Sequence, residues 1–357
     1  MAVLLMIEAH TLDAWTRAAS RSSIAYRNAT ILGGFAAPLF LWLAGLALVL
    51  AAMRTAARTG NRICAVDAIC RRGLEIFILA FLFRLQAFIV TPGSHPLTIF
   101  RVDILNVMGP AIVVAGLVWW LADTAVALAA AYAAVAALTA MVTPVVRTSP
   151  AIDLLPTWMQ WYMRPAGEYT TFTLFPWAGF VFAGGGAGAV IGAARDEREE
   201  RRLLVMLAGA GAALVAFGFA AAARPSIYRA SYFWTSSPTW FAIRAGIMMM
   251  TPGAIYAALQ GRATVSPAID ALARMGRSSL FIYWIHVELV YGYASWFWWR
   301  RLPLWGTAAA WVAFSALMYG ALLLRDRLVA QNAIRCVTVA TTARSTSAPV
   351  AESRRSL

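Results

Sequence analysis

The sequence predicts an all-α fold: a polytopic bundle of about ten transmembrane helices, at about 20 apolar residues per crossing, followed by a disordered C-terminal tail. Of the 357 residues, 61% are hydrophobic and only 13% are charged, whereas an average soluble domain carries about 25% charged residues. The apolar runs are long and continuous, unlike the short alternating segments of a membrane β-barrel. The 15 Trp and 11 Tyr cluster near the ends of these runs, as expected of residues in the membrane interface.

Each predicted helix is an apolar run bounded by polar or turn-forming residues. The first run is short and carries Glu8, His10 and Asp13, and the sixth contains Pro176 and a glycine-rich stretch at 184–188. The ten predicted segments are 2–15, 31–53, 73–90, 104–121, 124–146, 171–194, 203–222, 239–259, 279–298 and 305–324.

These segments define one membrane domain over residues 1–324. The remaining residues, 325–357, are rich in Ser, Thr, Ala and Arg and show no periodic apolar pattern. Such a composition cannot bury enough apolar surface to offset the entropy of ordering. The sequence therefore predicts that this tail is disordered.

The distribution of arginine predicts the orientation. The formal charge is +14, and every basic residue is arginine. Arginines cluster after the second, sixth and eighth segments and at the start of the tail, and short basic loops stay in the cytoplasm. An even number of crossings then places both termini in the cytoplasm, and we expect the inner membrane of a bacterium. Because these arginines lie in short loops, we expect them to contact membrane lipids rather than nucleic acid.

Two histidines are predicted to be catalytic because hydrocarbon cannot solvate an ionisable side chain. His10 and Asp13 share a helix face, so the carboxylate could hold the imidazole in the tautomer that a general base needs. His286 lies on one helical stripe with Tyr283 and Ser279. The alternatives are that His10 lies in the headgroup layer and that His286 only hydrogen-bonds to a neighbouring helix. Two such histidines in one chain favour a shared site.

Other polar residues are candidates for substrate binding. Arg101 and Asp103 precede the fourth segment and form either an interfacial ion pair or part of a cavity. Arg244 either reaches the headgroups or faces inward and binds an anion. Tyr283 is expected to line the same cavity. The glycine-rich stretch either packs closely against another helix or forms a slot for a thin acyl arm.

Seven stretches in the same order resemble the catalytic-domain family of heparan-α-glucosaminide N-acetyltransferase. Among them, Val3-Leu-Leu-Met-Ile-Glu-Ala-His10 is similar to the first transmembrane helix of the family, and Asp103-Ile-Leu-Asn-Val-Met-Gly109 to the start of the fourth. The full set is 3–10, 34–45, 71–74, 103–109, 175–179, 237–244 and 276–286. The resemblance covers residues 1–324. Relatives carry an Asp-x-x-Arg-Gly stretch just before the first helix, so we expect either that the natural chain begins further upstream or that this member lacks the stretch.

The resemblance implies transfer of an acyl group, such as acetyl, from cytoplasmic acyl-CoA or acetyl-CoA to an acceptor across the bilayer. His10 matches the histidine that acts in the transfer, and His286 matches the histidine of a late helix. We expect Arg71 and Arg72, with Gly184 and Gly186, to bind the acyl-CoA. The acceptor is expected to be an extracytoplasmic glycan or lipid, no metal is expected, and a homodimer is compatible with the sequence. The rival hypotheses are a transporter or lipid-linked-sugar exporter with the histidines as a proton relay, and a non-catalytic scaffold.

Overall fold

The fold is helical throughout the part of the chain that the structure, a computed structural model, describes: residues 1–90, 95–260 and 266–346, with side chains described up to 331. The α-helices are α1 (Ala2–Trp15), α2 (Ile24–Gly33), α3 (Ala36–Thr59), α4 (Arg62–Val90), α5 (Ile104–Leu121), α6 (Ala125–Thr148), α7 (Thr157–Met163), α8 (Leu174–Gly192), α9 (Glu197–Ala222), α10 (Pro238–Leu259), α11 (Pro267–Arg277), α12 (Ser279–Tyr291) and α13 (Leu304–Thr346). Short 3₁₀ helices lie in the connections, and the extended pairing in these ranges is confined to two isolated bridges.

The predicted membrane bundle is confirmed. Eight helical stretches in the described residues are long and apolar enough to cross a bilayer. They are α2 with α3, α4, α5, α6, α8, α9, α10 and the first part of α13. The remaining two predicted segments form α1 and α12, whose 14 and 13 residues span about 21 and 20 Å, less than the roughly 30 Å hydrocarbon core.

Two boundaries differ from the sequence prediction. Helix α4 begins at Arg62, so the arginines at 71 and 72 stand on a continuous helix rather than in a loop. Helix α13 continues past Arg325, where the tail was predicted to begin. Polar residues interrupt an apolar run, but they do not end a helix whose backbone is already hydrogen-bonded. The predicted disorder of 347–357 lies outside the described residues.

The buried apolar residues form two main clusters. The larger one joins helices α3, α4, α5, α6, α8, α9 and α10, and includes Trp42, Tyr132 and Phe180. The smaller one joins α1, α11, α12, α13 and the first residue of α3, and includes Ile7 and Ile282. The side chains of Phe40 and Tyr283 pack against both clusters. The two units are therefore joined along α3 and α12, and α12 carries His286, one of the two candidate histidines.

The glycine-rich stretch of α8 is a packing surface. A Cβ atom added at Gly184 would overlap the backbone carbonyl of Trp42 on α3, and one added at Gly45 would overlap the carbonyl of Val181 on α8. Small residues at such positions let two helix backbones touch. Gly186 faces the other way, towards α6, at ordinary contact distance. The packing alternative thus holds for Gly184, and the predicted slot is filled there by helix α3.

Candidate functional site

The C-terminal end of α1 is held by the chain that follows α12. The backbone N–H of Arg17 donates to the carbonyl of Leu302 at 2.8 Å, and the N–H of Leu302 donates to the carbonyl of Trp15 at 2.9 Å. The hydroxyls of Thr16 and Thr307 are 3.1 Å apart, which ties the start of α13 to the same point. These bonds fix the rotation of α1 and direct the His10 side chain towards α12.

His10 and His286 form a hydrogen-bonded pair across 276 residues of sequence. Nδ1 of His10 lies 2.8 Å from Nε2 of His286. The ring centroids are 5.0 Å apart and the ring planes are inclined by only 6°. His286 is fully buried, whereas His10 is partly exposed. The predicted shared site is therefore present in the structure as a direct contact between the two rings.

The partners of His286 determine where the protons lie. Its Nδ1 is 2.8 Å from the backbone carbonyl of Ile282, and a carbonyl oxygen only accepts, so Nδ1 carries the hydrogen. In a neutral ring, Nε2 of His286 is then an acceptor. Nδ1 of His10 must supply the hydrogen between the rings, and Nε2 of His10 is left as a bare lone pair. Burial of His286 favours this neutral arrangement over one carrying a net charge.

Nε2 of His10 is the chemically available atom of the pair. It has no hydrogen-bond partner among the described residues, and the His10 side chain is partly exposed. A neutral imidazole nitrogen held in this tautomer can take a proton from a substrate or attack an electrophile. His286 touches His10 but leaves this atom free, which makes His286 a positioning residue.

Asp13 does not hold His10, and this part of the sequence prediction is corrected. Its carboxylate accepts a hydrogen bond of 3.0 Å from the Tyr291 hydroxyl and lies 3.9 Å from Arg21. The Tyr291 ring meets the His10 ring edge-on, with centroids 5.5 Å apart. Asp13 is more than half exposed, because it lies beyond His10 towards the end of α1. It therefore reaches the imidazole only through Tyr291.

A second group of polar side chains adjoins His286. The Tyr283 ring lies edge-on to His286, with centroids 5.9 Å apart, and the same ring contacts Phe83. The next residue on α4, Arg84, forms a largely buried ion pair with Asp103. Arg84 also lies within electrostatic range of Tyr283, Arg101 and Glu288. The histidine pair thus continues into a charged cluster between α4, α12 and the start of α5.

The predicted ion pair between Arg101 and Asp103 is not formed. Asp103 caps α5 in a reciprocal arrangement with Asn106 and pairs with Arg84. Arg101 instead donates to the Thr171 hydroxyl at 3.0 Å. It lies within electrostatic range of Tyr283 and Tyr291, the two tyrosines that contact the histidine pair. The ion-pair alternative is therefore excluded for Arg101, and its place in a substrate cavity stays a prediction.

Sequence reasoning missed Arg84 and Tyr291. Arg84 was recognisable, because it is a charged residue in the middle of the apolar run 73–90 and such residues usually face a site or a partner. Tyr291 had no comparable signal. Its importance comes from the return of the chain after α12, which places the end of that helix beside α1.

Arg244 is buried, with 6% of its surface exposed, so it faces inward rather than towards the headgroups. It donates to the carbonyl of Gly34, and its guanidinium lies 4.4 Å from the ring centre of Phe35 and 4.7 Å from that of Trp240. These contacts place it at the α2–α3 junction. No described contact joins it to the histidine pair, so the structure does not bring it to the predicted site.

The residues predicted to bind acyl-CoA are dispersed. Arg71 and Arg72 are exposed and pair locally with Asp67 and Glu75, each at 3.0 Å. They stand on the first half of α4, whereas Arg84 stands on the second half. Gly184 is in contact with α3, and Gly186 borders a large apolar cavity between α6, α8, α9 and α10.

Comparison with known families supports this resemblance. The family described as "Heparan-alpha-glucosaminide N-acetyltransferase, catalytic" matches residues 1–228. The matched region runs from α1 to just beyond α9 and includes His10, Arg84, Arg101 and Asp103, whereas His286 lies beyond it. No curated protein matches the chain.

Proposed function

The chain belongs to the heparan-alpha-glucosaminide N-acetyltransferase catalytic-domain family, a family of membrane acetyltransferases, and from this premise we propose that it transfers an acetyl or related acyl group from acyl-CoA to a glycan or lipid acceptor. The donor enters from the cytoplasm and the acceptor from the opposite side. The observation that carries the proposal is the His10–His286 pair. It supplies one oriented, partly exposed imidazole whose Nε2 has no hydrogen-bond partner in the described residues.

The transfer step uses Nε2 of His10 as a general base. The acceptor hydroxyl or amine gives its proton to Nε2 while its oxygen or nitrogen bonds to the thioester carbonyl carbon. Collapse of the tetrahedral intermediate breaks the carbon–sulfur bond, and the proton held on His10 passes to the departing thiolate. The products are the acylated acceptor and free CoA. If Nε2 attacks the carbonyl itself, the acyl group first resides on His10, which labelled protein would reveal.

His286 supports this step by accepting the Nδ1 hydrogen of His10. When Nε2 of His10 becomes protonated, the positive charge on its ring is stabilised by the hydrogen bond to the neutral acceptor at His286. Because His286 is itself bonded to Ile282, its ring cannot turn without losing that bond. The pair therefore keeps a single orientation through the reaction.

The developing oxyanion needs a cation or donor, and Arg101 is the best supported candidate. Nε of Arg101 is buried and has no hydrogen-bond partner in the described residues. The guanidinium lies within electrostatic range of both tyrosines that contact the histidine pair. An N–H donor that is shielded from water, as this Nε is, stabilises an oxyanion more strongly than one in water. Arg244 was the anion-binding candidate from the sequence. Its position at the α2–α3 junction, without a described contact to the histidine pair, makes it a weaker candidate for stabilising the oxyanion.

Helix α4 supports entry of acyl-CoA from the end opposite the histidine pair. Arg72 and Arg84 are twelve residues apart on this helix, which corresponds to about 18 Å. Arg72 and the neighbouring Arg71 would pair with the phosphates of acyl-CoA. The extended acyl-pantetheine arm would then reach the depth of Arg84. The local pairs of Arg71 and Arg72 are exposed and of little energetic value, so phosphates could replace them.

The direct test offers labelled acetyl-CoA to membranes that contain the protein and follows the label into glycan, lipid and protein. We expect label in an acceptor with the wild type, and no label with His10→Ala. The matched control is His95→Ala, because His95 is exposed and outside the site. Equal labelling by the His10→Ala variant would contradict the proposal. Proton-coupled flux in proteoliposomes with no consumption of acetyl-CoA would instead favour the transporter.

A further inference from the structure

A separate cavity lies between the segment that follows α1, helix α2 and the first turns of α10. Its volume is about 560 Å³, and three of the residues around it are arginines: Arg21, Arg27 and Arg244. Its lining includes no Asp or Glu side chain. Two carboxylates lie nearby without lining it: that of Asp13, 3.9 Å from Arg21 and more than half exposed, and that of Glu8, which lies against Gly33 at the end of α2. The cavity is therefore strongly electropositive.

The most buried of these arginines has no carboxylate partner in the described part of the chain. Arg244 donates to the Gly34 carbonyl and lies over the rings of Phe35 and Trp240. These contacts hold the guanidinium in place without neutralising it. A buried charge without a counter-ion is costly, and an anion bound in the cavity would remove that cost. The hydroxyls of Ser22 and Thr30 line the same space.

The rim of the cavity is apolar and exposed. Ile24, Ile31 and Trp234 border it, with 68%, 37% and 56% of their surfaces exposed. Large exposed apolar side chains beside a charged cavity suit a ligand with an anionic head and an apolar tail. Planar guanidinium groups pair with phosphate oxygens through two hydrogen bonds, which distinguishes phosphate from a small halide.

From these observations we propose that the cavity binds the phosphoryl group of an anionic amphiphile, such as a phospholipid or a lipid-linked acceptor. Arg244 and Arg27 hold the phosphoryl oxygens, Arg21 closes the side towards the histidine pair, and the apolar tail leaves past Ile31 and Trp234. Arg21 also donates to the backbone carbonyl of Asp13, whose carboxylate accepts from Tyr291. The occupied cavity would thus adjoin His10. That link to transfer rests on the proposed function, whereas binding itself does not.

The test measures thermal unfolding of the purified full-length chain in neutral detergent, without acyl-CoA, while one of three probes is added. The probes are short-chain phosphatidylglycerol, short-chain phosphatidylcholine and inorganic phosphate. We expect phosphatidylglycerol to raise the midpoint more than phosphatidylcholine, because a ligand that binds only the folded state stabilises it. Stabilisation by inorganic phosphate alone would assign the site to a free anion. No difference between phosphatidylglycerol and phosphatidylcholine, together with no effect of phosphate, would overturn the proposal.

Variants make the test specific to the cavity. Arg27→Gln is the first choice, because Arg27 is exposed and its loss should not disturb folding. We expect it to weaken binding about tenfold, the effect of losing one charge-assisted hydrogen bond. The matched control is Arg17→Gln, which removes the same charge from an exposed neighbour outside the cavity. Equal affinity of the two variants would overturn the assignment. His10→Ala should bind as the wild type does, so failure of transfer and failure of binding remain distinguishable.

Discussion

At the scale of single residues, the chemistry depends on which nitrogen of His10 is free. The carbonyl of Ile282 orients His286, and His286 in turn orients His10. This is the role that a carboxylate plays for many catalytic imidazoles. A neutral acceptor holds the tautomer as well as a carboxylate does, but it stabilises the protonated ring less strongly. It is also easier to bury, because it carries no charge.

The role of His286 predicts a graded response to substitution. His286→Ala leaves the Nδ1 hydrogen of His10 without an acceptor, and we expect turnover to fall by about 10²- to 10⁴-fold, the usual worth of an oriented acid or base. His286→Gln offers a side-chain carbonyl to the same hydrogen and should retain activity to within about tenfold, the worth of one neutral hydrogen bond. Steady-state rates with labelled acetyl-CoA check this. Equal losses in both variants would mean that His286 acts as more than an acceptor.

Asp13 is predicted to matter little. Asp13→Asn keeps an acceptor for the Tyr291 hydroxyl and leaves the His10–His286 bond untouched. We therefore expect less than about a tenfold change in rate, since one hydrogen bond contributes about 1 kcal/mol. The same transfer assay measures it. A loss as large as that of His10→Ala would show that Asp13 orients the imidazole after all.

Arg101 is predicted to act on the transition state. We expect Arg101→Gln to lower kcat by about 10²- to 10³-fold, the range for loss of an oxyanion donor, with a smaller change in KM. Arg301→Gln is a control that removes the same charge from an exposed position. An Arg101 variant that changes only KM would assign this residue to substrate binding alone.

At the scale of elements, the close contact between α3 and α8 predicts which glycines are indispensable. A side chain at Gly184 would overlap the Trp42 carbonyl, which belongs to a helix backbone and cannot move aside, whereas Gly209 on α9 faces open space. Gly184→Ala should therefore lower the unfolding temperature. Gly209→Ala should leave it unchanged or raise it, because alanine is favoured over glycine in a helix by about 1 kcal/mol. Thermal unfolding in detergent compares them, and a tolerated Gly184→Ala would contradict the contact.

Much of the element structure follows from the sequence, and much of the site does not. Apolar runs of about 20 residues predict helices because the backbone must be satisfied internally in lipid, and all ten runs are helical here. That His10 and His286 share a site was also predictable, because both are ionisable residues in apolar segments. Their partners were not. The predicted partner Asp13 is three residues away in sequence, whereas the observed partner is brought near by the chain after α12, and such long-range pairing leaves no local pattern.

The partners of the arginines were unpredictable for the same reason: long-range pairing leaves no local sequence pattern. Arg101 and Asp103 are neighbours in sequence, yet Asp103 pairs with Arg84 from another helix. The sequence was compatible with two orientations of Arg244. The structure shows the inward one, because α2 and α3 pack around the side chain. Charge and hydropathy predict that such residues face a partner or a site rather than lipid. Which partner each one takes is a property of the tertiary structure.

At the scale of the whole molecule, the two apolar clusters meet at the histidine pair. The larger cluster is a bundle of long helices, and the smaller one closes it with the two short helices α1 and α12. We propose that this arrangement puts the reaction between a cytoplasmic donor entrance and an acceptor entrance on the other side.

This arrangement predicts opposite accessibility of the two ends. Cys64 is exposed near the start of α4, and a cysteine introduced at the exposed Ser22 would lie at the histidine end. In right-side-out cells or spheroplasts, an impermeant maleimide should label Ser22→Cys and not Cys64, and inverted vesicles should reverse the pattern. Labelling of both from the same side would contradict the proposed path of acyl transfer.

The central claim is that His10 presents a bare Nε2 because its Nδ1 hydrogen is held by His286. Nitrogen-15 NMR of the histidine side chains tests it most directly, since the chain has only three histidines and His95→Ala removes the third. We predict that both rings are neutral with the hydrogen on Nδ1, and that a scalar coupling across the hydrogen bond joins His10 Nδ1 to His286 Nε2. A His10 ring with its hydrogen on Nε2, or the absence of that coupling in a folded protein, would contradict the account.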